Sequence, residues 1–128
     1  MHAVPVQFSR EYLRKVKSYI PPKTPVLSVS KGIETKSGKL MCDLLEEMLG
    51  TERSYAFLSG PSFAREIVQG KATAVVVASN DAEMAFEIAE ILGSKSFRVF
   101  TSKDVIGLEV GGAVKNVIGT EMFQHAAL

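Results

Sequence analysis

The stretch Tyr55-Ala56-Phe57-Leu58-Ser59-Gly60-Pro61-Ser62-Phe63-Ala64-Arg65-Glu66-Ile67-Val68-Gln69-Gly70, followed two residues later by Thr73-Ala74-Val75-Val76-Val77-Ala78, decides the fold. Tyr55 to Leu58 is a short apolar run that reads as a strand, broken by Ser59-Gly60-Pro61. Phe63 to Val68 reads as a short helix that closes at Gly70. Thr73 to Ala78 is rich in valine and is the best strand in the chain.

The same alternation extends in both directions. Upstream, Phe8 to Ile20 places Phe8, Tyr12, Leu13, Val16, Tyr19 and Ile20 at helical spacing, and Pro21-Pro22 ends it. Val26 to Val29 reads as a strand. Gly38 to Leu49 reads as a helix with Leu40, Met41, Leu44, Leu45, Met48 and Leu49 on one face and Gly50 at its end. Downstream, a helix from Asp81 to Leu92 starts at Asn80 or Asp81 and stops at Gly93. Phe97 to Phe100 makes a fourth strand, and Asp104 caps a last helix from Val105 to about Ile118. Strand then helix, repeated, predicts an α/β fold with βαβ units around a mostly parallel sheet.

The bulk properties exclude several classes. The 128 residues suffice for one domain, with 46% hydrophobic and 23% charged residues. The longest apolar run, Ala72 to Ala78, is far too short to span a bilayer. Fifteen basic and 14 acidic residues leave a net charge of +1 with no basic stripe, which argues against a nucleic-acid partner. Cys42 is the single cysteine, which suits a reducing compartment, and it lies among core leucines where packing is its expected role. His2 and His125 have no ligand-spaced partners, so no metal site is expected. Met41, Met48 and Met84 read as core filler. The N-terminus carries no signal or transit pattern, and as written the chain reads as cytoplasmic.

In open α/β sheets ligands gather in the turns after strands. Three turns therefore stand out: Ser30-Lys31-Gly32, Ser59-Gly60-Pro61-Ser62, and the region around Asp104. Lys31 at a strand exit can aim its ammonium at an anionic oxygen, or can be a solvated lysine. Gly60 permits close approach, and Ser62 either meets a ligand at a helix start or serves its own backbone. The last helix carries Gly107, Gly111 and Gly112 ahead of Lys115 and Asn116. Each helical glycine costs about 1 kcal/mol relative to alanine, so close packing must offset it. Lys115 then stands on a smooth face, as a base with a lowered pKa near a second ammonium, or as a solvated residue beside a helix contact.

Three strings occur together and in order: Leu27-Ser28-Val29-Ser30-Lys31-Gly32-Ile33-Glu34, Leu58-Ser59-Gly60-Pro61-Ser62-Phe63-Ala64, and Val105 through Ile118 with its Gly111-Gly112-Ala113-Val114-Lys115-Asn116. Together they resemble the NAD(P)-dependent glycerol-3-phosphate dehydrogenases, over residues 2 to 118. The opening His2-Ala3-Val4-Pro5-Val6-Gln7-Phe8-Ser9 resembles the plant and algal plastid-type members. The resemblance implies a partial Rossmann-like doubly wound sheet of about four strands, ending in the helix that leads to an all-α C-terminal domain. It implies interconversion of dihydroxyacetone phosphate and sn-glycerol 3-phosphate with NAD or NADP. Lys115 would be the proton acceptor, Lys31 would touch substrate and cofactor, Gly60 and Ser62 would touch substrate, and Ala64 would touch cofactor. The full-length enzyme would be a homodimer.

The match also breaks in places. No Gly-x-Gly-x-x-Gly turn stands anywhere in the chain, although such enzymes hold the pyrophosphate with one. Gly119 to Leu128 looks unrelated to the family. Residues 1–103 therefore correspond to the second part of a dinucleotide-binding domain, 104–118 to the start of the helix toward the substrate domain, and 119–128 to a divergent tail. A truncated isoform or incomplete gene model is the expectation, with an unpaired sheet edge and exposed apolar faces. A plastid location would require an upstream transit peptide. The alternatives are a non-catalytic isoform that binds full-length subunits, and a related βαβ hydroxyacid or 6-phosphogluconate dehydrogenase.

Overall fold

The structure, a computed structural model, describes the backbone of residues 1–126 and the side chains through residue 115. Its elements follow the alternation: α1 (Val6–Val16), β1 (Val26–Ser28), α2 (Met41–Leu49), β2 (Tyr55–Ser59), α3 (Ala64–Val68), β3 (Thr73–Ser79), α4 (Ala82–Leu92), β4 (Phe97–Ser102) and α5 (Val105–Ala126). A 3-10 turn, Lys17–Tyr19, follows α1. The strands form one sheet in chain order.

The sheet is mixed. β1 pairs with β2 and β3 with β4 in parallel, whereas β2 and β3 run antiparallel, with Ser59 opposite Val76 and Ala56 opposite Ser79. The connection between β2 and β3 carries only the five-residue α3, and the chain reverses direction there instead of crossing over. This reversal has a consequence for the layers. A crossover between parallel strands is nearly always right-handed. Two crossovers on strands of opposite direction therefore place their helices on opposite faces. The core divides accordingly. Met41, Leu44 and Leu45 of α2 pack with Leu13, Phe57 and Val105 on one face, while Met84 and Ala85 of α4 pack with Ala56 and Val77 on the other.

Local chemistry sets the element ends. Asp81, of the two candidate starts, caps α4 through its carboxylate, which accepts from Met84 N. Asp104 caps α5 by accepting from Gly107 N at 2.8 Å. The α2 helix begins at Met41 and not at Gly38, because Gly38 has φ +70° and Glu34 bridges Lys39 in a tight turn. The α5 helix continues past the expected stop near Ile118 to Ala126, into the segment read as a divergent tail. Residues 127 and 128 lie outside the described residues.

The α1 face is rotated from expectation. Val6, Ser9 and Leu13 are buried, while Phe8, Tyr12 and Tyr19 are exposed on the adjoining flank. Val6 is drawn inward because its methyl lies under Gly32, and Ser9 because its hydroxyl meets His2 Nε2 at 2.9 Å. The β1 edge is also not fully bare. His2 bridges Ser28, with His2 N–H donating to Leu27 O and Val29 N–H donating to His2 O.

Candidate active site

Strand direction decides what meets what. Lys31 follows β1 and Gly60 follows β2, and these parallel strands end on the same side of the sheet. The β4 strand runs the other way, so Asp104 lies at the opposite end and does not join the other two turns. From there α5 climbs across the face shared with α2, about 16 Å over eleven residues, and its middle arrives where Lys31 and Gly60 are. A cavity of about 310 Å³ forms there, lined by Lys31, Gly32, Ser62, Phe63, Gly112, Ala113 and Lys115.

The Gly60 carbonyl oxygen is the hub of this region. It accepts from Lys31 Nζ at 3.1 Å, from Ser62 N at 3.0 Å and, more weakly, from the Ser62 hydroxyl at 3.4 Å. Gly60 is required by close approach: a Cβ there would stand 2.9 Å from Ala74 O and from Val75 Cα. Lys31 has its pKa lowered, first by partial burial and then by the charge of Lys115. The Lys115 ammonium lies 5.7 Å from the centre of the Phe63 ring, within cation–π range.

A network below holds the Lys31 loop in place. Ser30 Oγ donates to Val4 O at 2.6 Å, and Gln7 Nε2 donates to Ile33 O at 2.8 Å. Glu34 is buried, and its carboxylate accepts from Arg10 Nε at 2.9 Å and Nη2 at 2.8 Å and from the Ser37 hydroxyl. Arg10 and Ser37 hold the Glu34 carboxyl below the usual range. The Arg10 guanidinium also reaches Glu47 of α2 at 2.5 Å, so α1, the loop and α2 are tied together.

Of the three glycines ahead of Lys115 in α5, two have a reason. A Cβ at Gly107 would collide with the capping Asp104 carboxylate, and one at Gly112 would stand 2.7 Å from Ser59 Oγ. A Cβ at Gly111 would meet open space.

Of the residues singled out from sequence, Lys31, Ser62 and Lys115 line one cavity, and Gly60 adjoins it through its carbonyl. Ser62 does turn to its own backbone, and the residue before α3 is Phe63, so Pro61 does not occupy a first helical position. Ala64 opens α3, is exposed and does not line the cavity. The side chains of Asn116 and His125 lie outside the described residues. Cys42 packs against the core, and burial followed by Glu109 pushes its thiol up to about 12. Glu109 itself escaped the sequence reading. It is a buried carboxylate on an apolar helix face beside Leu108, and that mismatch is the signal that could have found it.

Residues 1–85 match the family model described as the NAD-dependent glycerol-3-phosphate dehydrogenase N-terminus. The chain belongs to that family. It is 43% identical over 118 residues to the chloroplastic glycerol-3-phosphate dehydrogenase [NAD(+)] of Oryza sativa subsp. japonica, covering 91% of this chain and 27% of that protein. It is 43% identical to the glycerol-3-phosphate dehydrogenase [NAD(P)+] of Pasteurella multocida, covering 90% of this chain and 34% of the relative. The crystal structure of the Coxiella burnetii glycerol-3-phosphate dehydrogenase superposes with a TM-score of 0.83 at 34% identity, over 90% of this chain and 35% of that one. The chain thus spans about a third or less of the length of these relatives of the glycerol-3-phosphate dehydrogenase family. Among the described residues, no helix is long and apolar enough to cross a membrane.

Proposed function

We propose that this chain carries part of the active site of a glycerol-3-phosphate dehydrogenase, interconverting dihydroxyacetone phosphate and sn-glycerol 3-phosphate. The observation that carries the reading is the convergence of Lys31 and Lys115 on one cavity at the carboxyl ends of β1 and β2. Lys115 is the proton carrier at the substrate's secondary oxygen: its ammonium donates as the ketone is reduced, and its amine accepts when the alcohol is oxidised. Lys31, held by the Gly60 carbonyl, presents a second positive group that favours negative charge developing on that oxygen. Gly60 and Ser62 shape the wall where the substrate rests, and Phe63 limits where the Lys115 ammonium can swing.

The residues present fit one end of a nicotinamide cofactor. The cavity, at about 310 Å³, suits a triose phosphate beside a nicotinamide rather than a whole dinucleotide, and the chain has no glycine-rich phosphate turn. Lys31, which lines the cavity, is assigned to that contact, and Ala64, outside the cavity at the start of α3, to a more distant part of the cofactor. The bound nicotinamide, of NAD or NADP, supplies the hydride or receives it.

The same proposal includes the division into a dinucleotide-binding part through residue 103 and a helix, from 104, that leads toward a substrate domain. It includes a homodimeric full-length enzyme and a plastid location, the latter supported by relatives named as chloroplastic. The names of the relatives favour glycerol phosphate over a hydroxyacid or 6-phosphogluconate. The test is NADH oxidation with dihydroxyacetone phosphate by a full-length enzyme carrying this segment, alongside Lys115→Ala. Turnover that disappears in the variant supports the reading. Undiminished turnover in the variant, or turnover of a hydroxyacid alone, overturns it. The 128-residue chain, added to full-length subunits, would lower their activity if it acts as a non-catalytic isoform.

A further inference from the structure

The amino end of α2 has no cap of its own. Leu40 stands at the N-cap position and offers no side-chain acceptor, yet the first N–H groups of a helix need partners. The partner comes from far along the chain: Glu109 Oε2 accepts from Cys42 N at 3.1 Å. Glu109 is only 9% exposed, and burial raises its pKa, with the Asp43 carboxylate adding to the rise while the Cys42 and Met41 groups oppose it. No cation pairs with it among the described residues. A carboxylate kept in so unfavourable a place calls for a reason beyond its own helix.

Geometry supplies one. Glu109, Gly112 and Lys115 follow at three-residue steps, along a face of α5 that winds through about 120°. Along that face the first meets α2, the second lies against Ser59 of β2, and the third reaches the cavity. Glu109 and Gly112 also line the tight gap between α5 and the Lys31 loop. We infer that Glu109 is the positioning residue for Lys115: by binding the amino end of α2 it sets where α5 lies, and so where Lys115 stands relative to Lys31. Its role in turnover rests on the proposed dehydrogenase reading, whereas its effect on the lysines does not.

The test follows the 15N resonance of Lys31 Nζ against pH in the 128-residue chain. Lys31 senses both its burial and Lys115, so displacement of α5 moves its titration upward. Loss of a carboxylate charge by itself moves a nearby lysine downward, so the sign separates the two effects. Glu109→Gln keeps an acceptor oxygen and serves as the charge control. The expected result is an upward shift in Glu109→Ala and a titration at or below the original in Glu109→Gln, with circular dichroism unchanged in both. Glu109→Asp, too short to reach Cys42 N, shifts upward as well and decides the matter if the alanine variant does not fold. An unmoved or lowered Lys31 titration in the folded alanine or aspartate variant overturns the inference. In the full-length enzyme Glu109→Ala lowers kcat roughly 10- to 100-fold with little change in KM, and Glu109→Gln restores it. If full-length enzyme does not turn over dihydroxyacetone phosphate at all, the functional reading fails while the lysine titration still decides the role of Glu109.

Discussion

Lys31 Nζ donates a 3.1 Å hydrogen bond to the Gly60 carbonyl oxygen, which joins the loop after β1 to the turn after β2. The same oxygen takes the Ser62 N–H, so one backbone carbonyl orients both the lysine and the start of the next turn.

The two lysines are coupled in a measurable way. Burial is the larger cause of the lowered Lys31 pKa and Lys115 the smaller. Lys115→Met is therefore expected to raise the Lys31 titration part of the way toward its ordinary value. A complete return, or no movement, in the 15N titration would count against the arrangement.

Glycines at two positions should behave oppositely. Gly60→Ala forces a Cβ against the Ala74 and Val75 backbone, which cannot swing aside, and should cost about 1–3 kcal/mol. Gly111→Ala points into open space on a helix and should stabilise by about 1 kcal/mol. Urea denaturation of the two variants checks both signs.

Acid should act through Glu34. Its pKa in the folded chain lies below its ordinary value because Arg10 and Ser37 bind the ionised form. The folded state thus binds fewer protons than the unfolded chain between the two values, and stability falls as pH falls. The contribution is complete above the ordinary carboxylate range, near pH 4.3, and is lost as pH drops through the folded value. Glu34→Gln should flatten this slope, and an acid unfolding curve identical to that of the unsubstituted chain would refute the assignment.

Cys42 should be a slow nucleophile. With its thiol pushed up to about 12 and packed against the core, alkylation at pH 8 should run far slower in the folded chain than in urea. Equal rates in the two conditions would show the thiol to be accessible.

Much of this molecule was legible from local pattern. The strands from Tyr55 and Thr73, the caps at Asp81 and Asp104, and the apolar face of α2 depend on neighbours within a turn or two, and so a one-dimensional reading reaches them. The strings around Lys31, Gly60 and Lys115 carried the family through their resemblance to its members. Strand direction was different. The antiparallel pairing of β2 with β3 is a choice between distant strands, and it places Asp104 at one end of the sheet and Lys115 at the other. The rotation of α1, with Phe8 and Tyr12 outside and Ser9 inside, came from what Val6 and His2 meet across the fold. Glu109 at the start of α2 shows the same limit, because its place on an apolar face can be read in the sequence but the distant Cys42 N–H that it meets cannot. Periodicity records which face of an element is apolar. Which partner covers that face, and which carboxylate answers an orphan N–H, is decided only when distant segments compete for the same space.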